Sequence, residues 1–145
     1  MSWKEAVQSV LRVLVDQGTK YPDPYLELLR VGVEHDDIDA NDVTVTLVLD
    51  GAIVTGTVVS LDVWERLFLR QLDDHDSNLR RATKTALGHL DDTADEGRRR
   101  REPARPFLHL RDVTYRSGRS THILPTWRGP IDAISGWTLG GPDQD

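Results

Sequence analysis

The chain has 145 residues, long enough to bury a core, with 38% apolar and 29% charged residues and a net charge of −6. The lack of cysteine excludes disulfides and thiolate metal sites, and no stretch approaches the roughly 18 apolar residues a membrane span needs. The acidic balance repels phosphate backbones unless basic residues cluster, and a start with neither a basic region nor a continuous apolar run does not read as a signal peptide.

Ser2 and Glu5 have capping-box spacing, and Trp3, Ala6, Val7, Val10, Leu11 and Leu14 recur at three- and four-residue intervals before Gly18. The pattern predicts an amphipathic helix. Tyr21-Pro22-Asp23-Pro24 predicts a turn, and Tyr25, Leu26, Leu28 and Leu29 a short second helix ending near Gly32. The acidic stretch EHDDIDAND reads as a loop. From Val43 the chain alternates β-branched residues, and Asp50-Gly51 between two such runs predicts a hairpin. Gly56, midway through the second run, predicts a bulge or bend.

The helical period returns from Leu61 to His89. Val63, Trp64, Leu67, Phe68 and Leu72 form one apolar stripe, and Leu79, Ala82, Ala86, Leu87 and Leu90 a weaker one. Trp64 and Phe68, one turn apart, are expected in the core. The stretch DDTADEGRRRREPARP sets four acidic residues before Arg98, Arg99, Arg100 and Arg101, and predicts a mobile linker, residues 91–105, within the domain. Strand signals resume at Phe107, where Phe107, His109 and Arg111 alternate against Leu108 and Leu110. Ser117-Gly118 gives a turn, and two further strand-like segments follow, RSTHILPTWRG and then PIDAISGWTLG. In that last segment a period of two puts Ile131 and Ala133 on one face and Asp132 and Ile134 on the other.

The expected architecture is α+β: one domain over 1–145, containing a small, strongly bent, five-stranded antiparallel β-barrel of Sm or SH3 type. It is built from a helical N-terminus (1–32), a hairpin (43–60), a helical insertion with the charged linker (61–105) and three C-terminal strands (106–140). Closure would remove exposed sheet edges.

Chemistry is sparse. Asp73 to Asp76 surrounds His75 with carboxylates, a set that a hard metal or an acid–base pair uses, but its place between two helical stripes predicts a solvated turn. His109 and His122 fall in strands and His35 in the acidic loop. Such histidines are ordinarily cross-strand partners, although a facing pair would bind metal or sense pH. No Gly-x-Ser-x-Gly elbow, Walker loop or His-Glu-x-x-His pattern occurs. The expectation is therefore no catalysis, no cofactor and no metal. The arginine run is the strongest basic feature and offers either a solvated loop or an electrostatic contact. Trp127 is expected to be structural. Trp137, beyond Gly136, is expected near a contact surface with Arg128 beside it, since interfaces enrich Trp and Arg.

Taken together, VTLVLDGAIVTGTVVS, FLHLRDV and WRGPIDAISGWTLG, in that order after a helix, resemble the gas vesicle accessory protein GvpU family. The resemblance rests on Gly51 to Gly56, on Phe107 to Leu110, and on Trp127-Arg128-Gly129 followed by Ser135-Gly136-Trp137. It implies a non-enzymatic, cytoplasmic accessory protein of gas vesicle assembly, organisation or clustering. Such a protein works through contacts with shell or assembly proteins or with its own copies, with Trp137, Arg128 and Arg98 to Arg101 as the partner-binding candidates. The barrel plan also resembles RNA-binding Sm-like proteins, with Asp62 after the second strand and Arg128-Gly129 in place of their Arg-Gly loop. No asparagine follows Asp62 and the net charge is −6, so RNA binding is the alternative reading.

Overall fold

The computed structural model describes residues 23–34, 43–93 and 106–141, together with Lys4, Glu5 and Gln8, which are helical. The rest of the predicted first helix, the acidic loop from His35 and residues 94–105 lie outside the described residues. Helix α1 (Pro24–Glu34) begins where Asp23 Oδ1 accepts the backbone N–H groups of Tyr25 (2.9 Å) and Leu26 (3.3 Å), with Pro24 in the first turn, where its missing N–H costs nothing. Leu26 and Val33, seven residues apart, are buried, and Leu29 between them packs on the same core.

Strands β1 (Thr44–Leu49) and β2 (Ala52–Val58) pair antiparallel around Asp50-Gly51, with Gly51 at φ +75°, a conformation open to glycine without cost. Alternation then decides burial. Val45 and Leu47 of β1 and Val54 and Val58 of β2 are buried on one face, while the intervening threonines, Val48 and Ile53 point to the other. Strands β3 (Phe107–Ser117) and β4 (Ser120–Pro130) add a second long hairpin turning at Gly118, and β5 (Gly136–Leu139) joins the far side of β1. The sheet order is β4-β3-β2-β1-β5, antiparallel throughout.

The predicted bulge is present, with its extra residue on the facing strand. Thr55 pairs with Thr114 but Thr57 with Arg111, so β3 sets two residues, Asp112 and Val113, against Gly56. Asp112 takes φ +51°, and its insertion resets the phase of β3: Leu108 and Leu110 before it and Val113 after it all reach the core face. Pro125 lies level with Asp112 on the edge strand β4, where a missing N–H removes no ladder bond the sheet depends on. Gly56 lets the two backbones approach, since a Cβ there would sit 3.0 Å from Val113 Cγ2 and 3.1 Å from the Arg111 carbonyl oxygen.

The expected closed barrel is corrected to an open sheet, because β4 and β5 form no ladder. β5 is four residues long, and Gly140, at φ +84°, turns the chain away from it. The sheet is nevertheless curled. Pro130 lies level with Phe107 at one end of β3, whereas Gly136 joins β1 level with Arg116 near the other end. On a flat sheet that separation would be roughly 35 Å, from about 4.8 Å per strand sideways and about 3.3 Å per residue lengthwise. The link from Pro130 to Gly136 reaches about 22 Å at full extension, and Ile131–Ala133 is coiled into a 3-10 turn. Only a bent sheet brings the ends together. That turn also corrects the period-two reading of the last segment: Ile131 is buried as a plug in the core and not as a strand residue.

The helical insertion between β2 and β3 is two helices, α2 (Leu61–His75) and α3 (Ser77–Thr93), which carries helix a little further than the expected start of the linker at Asp91. Ser60 caps α2 by accepting the Val63 N–H, and Glu34 of α1 accepts the Leu61 N–H at 2.8 Å, a carboxylate placed at a helix N-terminus. Asp76 is the joint. Its N–H closes α2 on the Leu72 carbonyl, and its side chain accepts the Asn78 N–H to open α3. The DDHD stretch is thus an exposed helix joint, and among the described residues no His/Asp/Glu group has metal-binding geometry.

Candidate functional site: the seam beneath α2

Cross-strand register places the polar alternates of β3 and β4 on the face opposite the core. His109 lies across from Arg128, Phe107 from Pro130 and Arg111 from Thr126. Helix α2 covers this patch. Gln71 Oε1 accepts the Thr126 hydroxyl at 2.7 Å, and Trp64 tilts against His109 with ring centroids 5.4 Å apart. Trp64 also stacks on Phe68 one turn later, 5.1 Å between centroids and 13° between planes. The two aromatics therefore pack in this seam and not in the central core, where they were expected.

Arg128 threads between two rings, its Cζ 4.4 Å from the Phe107 centroid and 5.3 Å from that of Trp64. Both distances are inside cation–π range. The guanidinium itself lies over the rings, and the residue as a whole remains exposed. Partial burial lowers its pKa and the nearby Glu65 carboxylate works against that, so it remains a cation.

His109 is 5% exposed, and among the described residues neither of its ring nitrogens has a hydrogen-bond partner. The buried indole nitrogen of Trp64 is in the same condition. Unpartnered buried polar atoms are uncommon because each forfeits its hydration without replacement. Burial, then the positive fields of Arg128 and Arg30, push the His109 ring from 6.5 down to about 4, so it is neutral near pH 7.

The predicted site residues separate. Arg128 sits in this seam. Arg98 to Arg101 lie outside the described residues. Trp137 is elsewhere: half-buried in β5, it packs on the core, and its indole N–H donates to Asp23 Oδ2 at 2.5 Å. One carboxylate thereby caps α1 and ties it to the sheet edge, which gives Trp137 a structural task. Trp127 packs on the core from β4, its ring lying over Gly129, where an added Cβ would stand 2.5 Å from a ring carbon. Arg128 and Gly129 are paired strand residues, so the Arg-Gly loop expected from the Sm-like likeness is corrected to a segment of β4. His122 faces Tyr115 at the exposed end of the sheet, so the two strand histidines do not face each other. Sequence reasoning missed that FLHL and WRG are one site. Their shared alternation was the signal, but only the β3–β4 register joins them.

The fold and the seam define a small α+β protein whose antiparallel sheet carries an inserted helical hairpin. Residues 23–142 match the family model for gas vesicle protein GvpU-like, and the chain belongs to that family, which makes it a gas vesicle related protein. No curated protein matches it. Among solved structures it is similar to chains of two crystal structures of the NatC complex, one bound to CoA and one bound to a Gag peptide and CoA. Each is 14% identical, covering 70% and 73% of this chain and 79% and 90% of those chains, with TM-scores of 0.36 and 0.37. Scores that low carry no argument about fold or function. No described helix is long and apolar enough to cross a membrane.

Proposed function

We propose that this protein is a non-enzymatic accessory factor of gas vesicle assembly, organisation or clustering, working in the cytoplasm through contacts with shell or assembly proteins. Family membership supplies the biological setting. The observation that carries the contact role is the α2–α3 hairpin. It interrupts the sheet between β2 and β3, extends helices about 22 and 25 Å long, and contains no fully buried side chain among its described residues. A helix pair that contributes so little to the core is poorly explained by folding alone. Its second helix leaves Leu79 48% exposed, with Ala82 and Ala86 exposed along the same side. Apolar residues repeated at this spacing suit docking against another protein.

The test is retention of vesicle proteins from an extract of vesicle-forming cells by the tagged full chain. The wild type should retain shell or assembly proteins, and L79E/A86E should lose them while melting at the same temperature. A wild type that retains no vesicle protein overturns the reading.

A further inference from the structure

We propose that the seam between α2 and the β3–β4 hairpin is a carboxylate-binding site that receives an aspartate or glutamate side chain from an acidic segment of a partner protein. The inference rests on the accessory reading above and adds the chemistry of the contact. Arg128 provides a surface guanidinium held rigid between Phe107 and Trp64, so little side-chain freedom remains to be lost on binding. Packed in the same seam, on residues that touch Arg128 or lie across from it, are two buried donors with no partner among the described residues, the Trp64 indole N–H and one ring N–H of His109. An indole N–H can only donate, and a neutral imidazole has one N–H to give. Three donors set in an aromatic frame match an ionised carboxylate, which only accepts.

Two further features fit. The cluster joins residues from separate sequence stretches, Trp64, Phe107-His109 and Arg128, and none of these four is in the buried core cluster. The helix over the seam has no buried residue and is held to the sheet by ring contacts and the Gln71–Thr126 bond, so it can yield locally without unfolding the core. Glu65, beside Trp64 on α2, exerts a field on Arg128 and is the resident charge an incoming carboxylate must compete with. Interfaces concentrate their energy in such Trp and Arg anchors.

The experiment is an NMR titration of the full chain, labelled at tryptophan and histidine, with acetyl-hexaglutamate amide. Acetyl-hexaglutamine amide and sodium acetate at matched carboxylate concentration serve as the two comparison arms. The expected result is a shift of the Trp64 indole N–H, assigned from its loss in W64F, together with shifts of the His109 ring, for hexaglutamate only. W64F keeps a ring in place but lacks the donor, and should bind roughly tenfold or more weakly, the usual effect of losing a hydrogen bond to a charged group. R128Q should bind more weakly still. Equal shifts with hexaglutamine, or acetate as effective as hexaglutamate, would overturn the proposal, as would W64F binding like the wild type while melting like it. If vesicle proteins are retained by the wild type but hexaglutamate does not bind, the site fails and the accessory role stands. The reverse pattern sinks the accessory role alone.

Discussion

Replacing His109 by leucine tests the energetics of the seam most sharply. The ring is buried, both nitrogens lack partners among the described residues, and it titrates near 4 when folded against 6.5 when unfolded. Between those values the unfolded chain binds a proton that the folded chain does not, so His109 makes stability fall as pH drops from about 6.5 towards 4. At about 1.4 kcal/mol per unit, the full effect is about 3 kcal/mol. Leucine has a similar size, no titratable group and no polar atom to leave unpaired. H109L should therefore match or exceed wild-type stability at pH 7.5, because an unpartnered polar group is replaced by an apolar one. Urea unfolding of both proteins at pH 7.5, 6, 5 and 4 isolates the effect, since carboxylate titrations are common to both. The stability difference between H109L and wild type should widen by about 3 kcal/mol from pH 7.5 to 4. A difference that stays constant with pH would refute the assignment of His109 as a neutral, buried, unpartnered base.

Three further outcomes follow from the packing. Gly129→Ala puts a methyl group into the Trp127 ring and should cost about 2 kcal/mol, read as a lower urea midpoint at unchanged slope. Gly56→Val presses on Val113, Leu110 and the Arg111 carbonyl, and should cost more than about 1 kcal/mol by thermal melting. Trp137→Phe removes the N–H that Asp23 accepts and should cost about 2 kcal/mol, within the range for hydrogen bonds to charged groups; an unchanged melting temperature there would return Trp137 to the list of contact residues.

Much of this architecture is legible in local pattern. Asp50-Gly51, the Val45/Leu47 alternation and the Leu61–His89 period each fix an element with little help from the rest of the fold. What escapes is set by long-range pairing. Gly56 announces an irregularity, but whether the extra residue falls on β2 or β3 depends on the partner strand. The clue lay in FLHLRDVTY, where Arg111-Asp112 breaks the alternation and Val113 restarts it one residue late. The 3-10 turn at Ile131–Ala133 looked like strand because its residues alternate by chance, while the bend of the sheet brings the ends of the link close enough for it to coil. Barrel closure is likewise a long-range matter, since β5 ladders with β1 and not with β4. Trp137 was placed near a surface because Gly136 precedes it; its partner Asp23 lies far away in sequence, and no local signal links them. The seam is similar, with Phe107, His109 and Arg128 visible as motif residues and Trp64 assigned to the core by its helical stripe.

The accessory role is tested most directly by flotation. Purified protein is mixed with purified gas vesicles and the vesicles are allowed to rise under gentle centrifugation. Wild-type protein should be recovered in the buoyant layer in a saturable amount, and the L79E/A86E variant should stay in the liquid below. Wild-type protein that stays below the vesicles at every concentration, with and without the other vesicle assembly proteins present, would contradict the account.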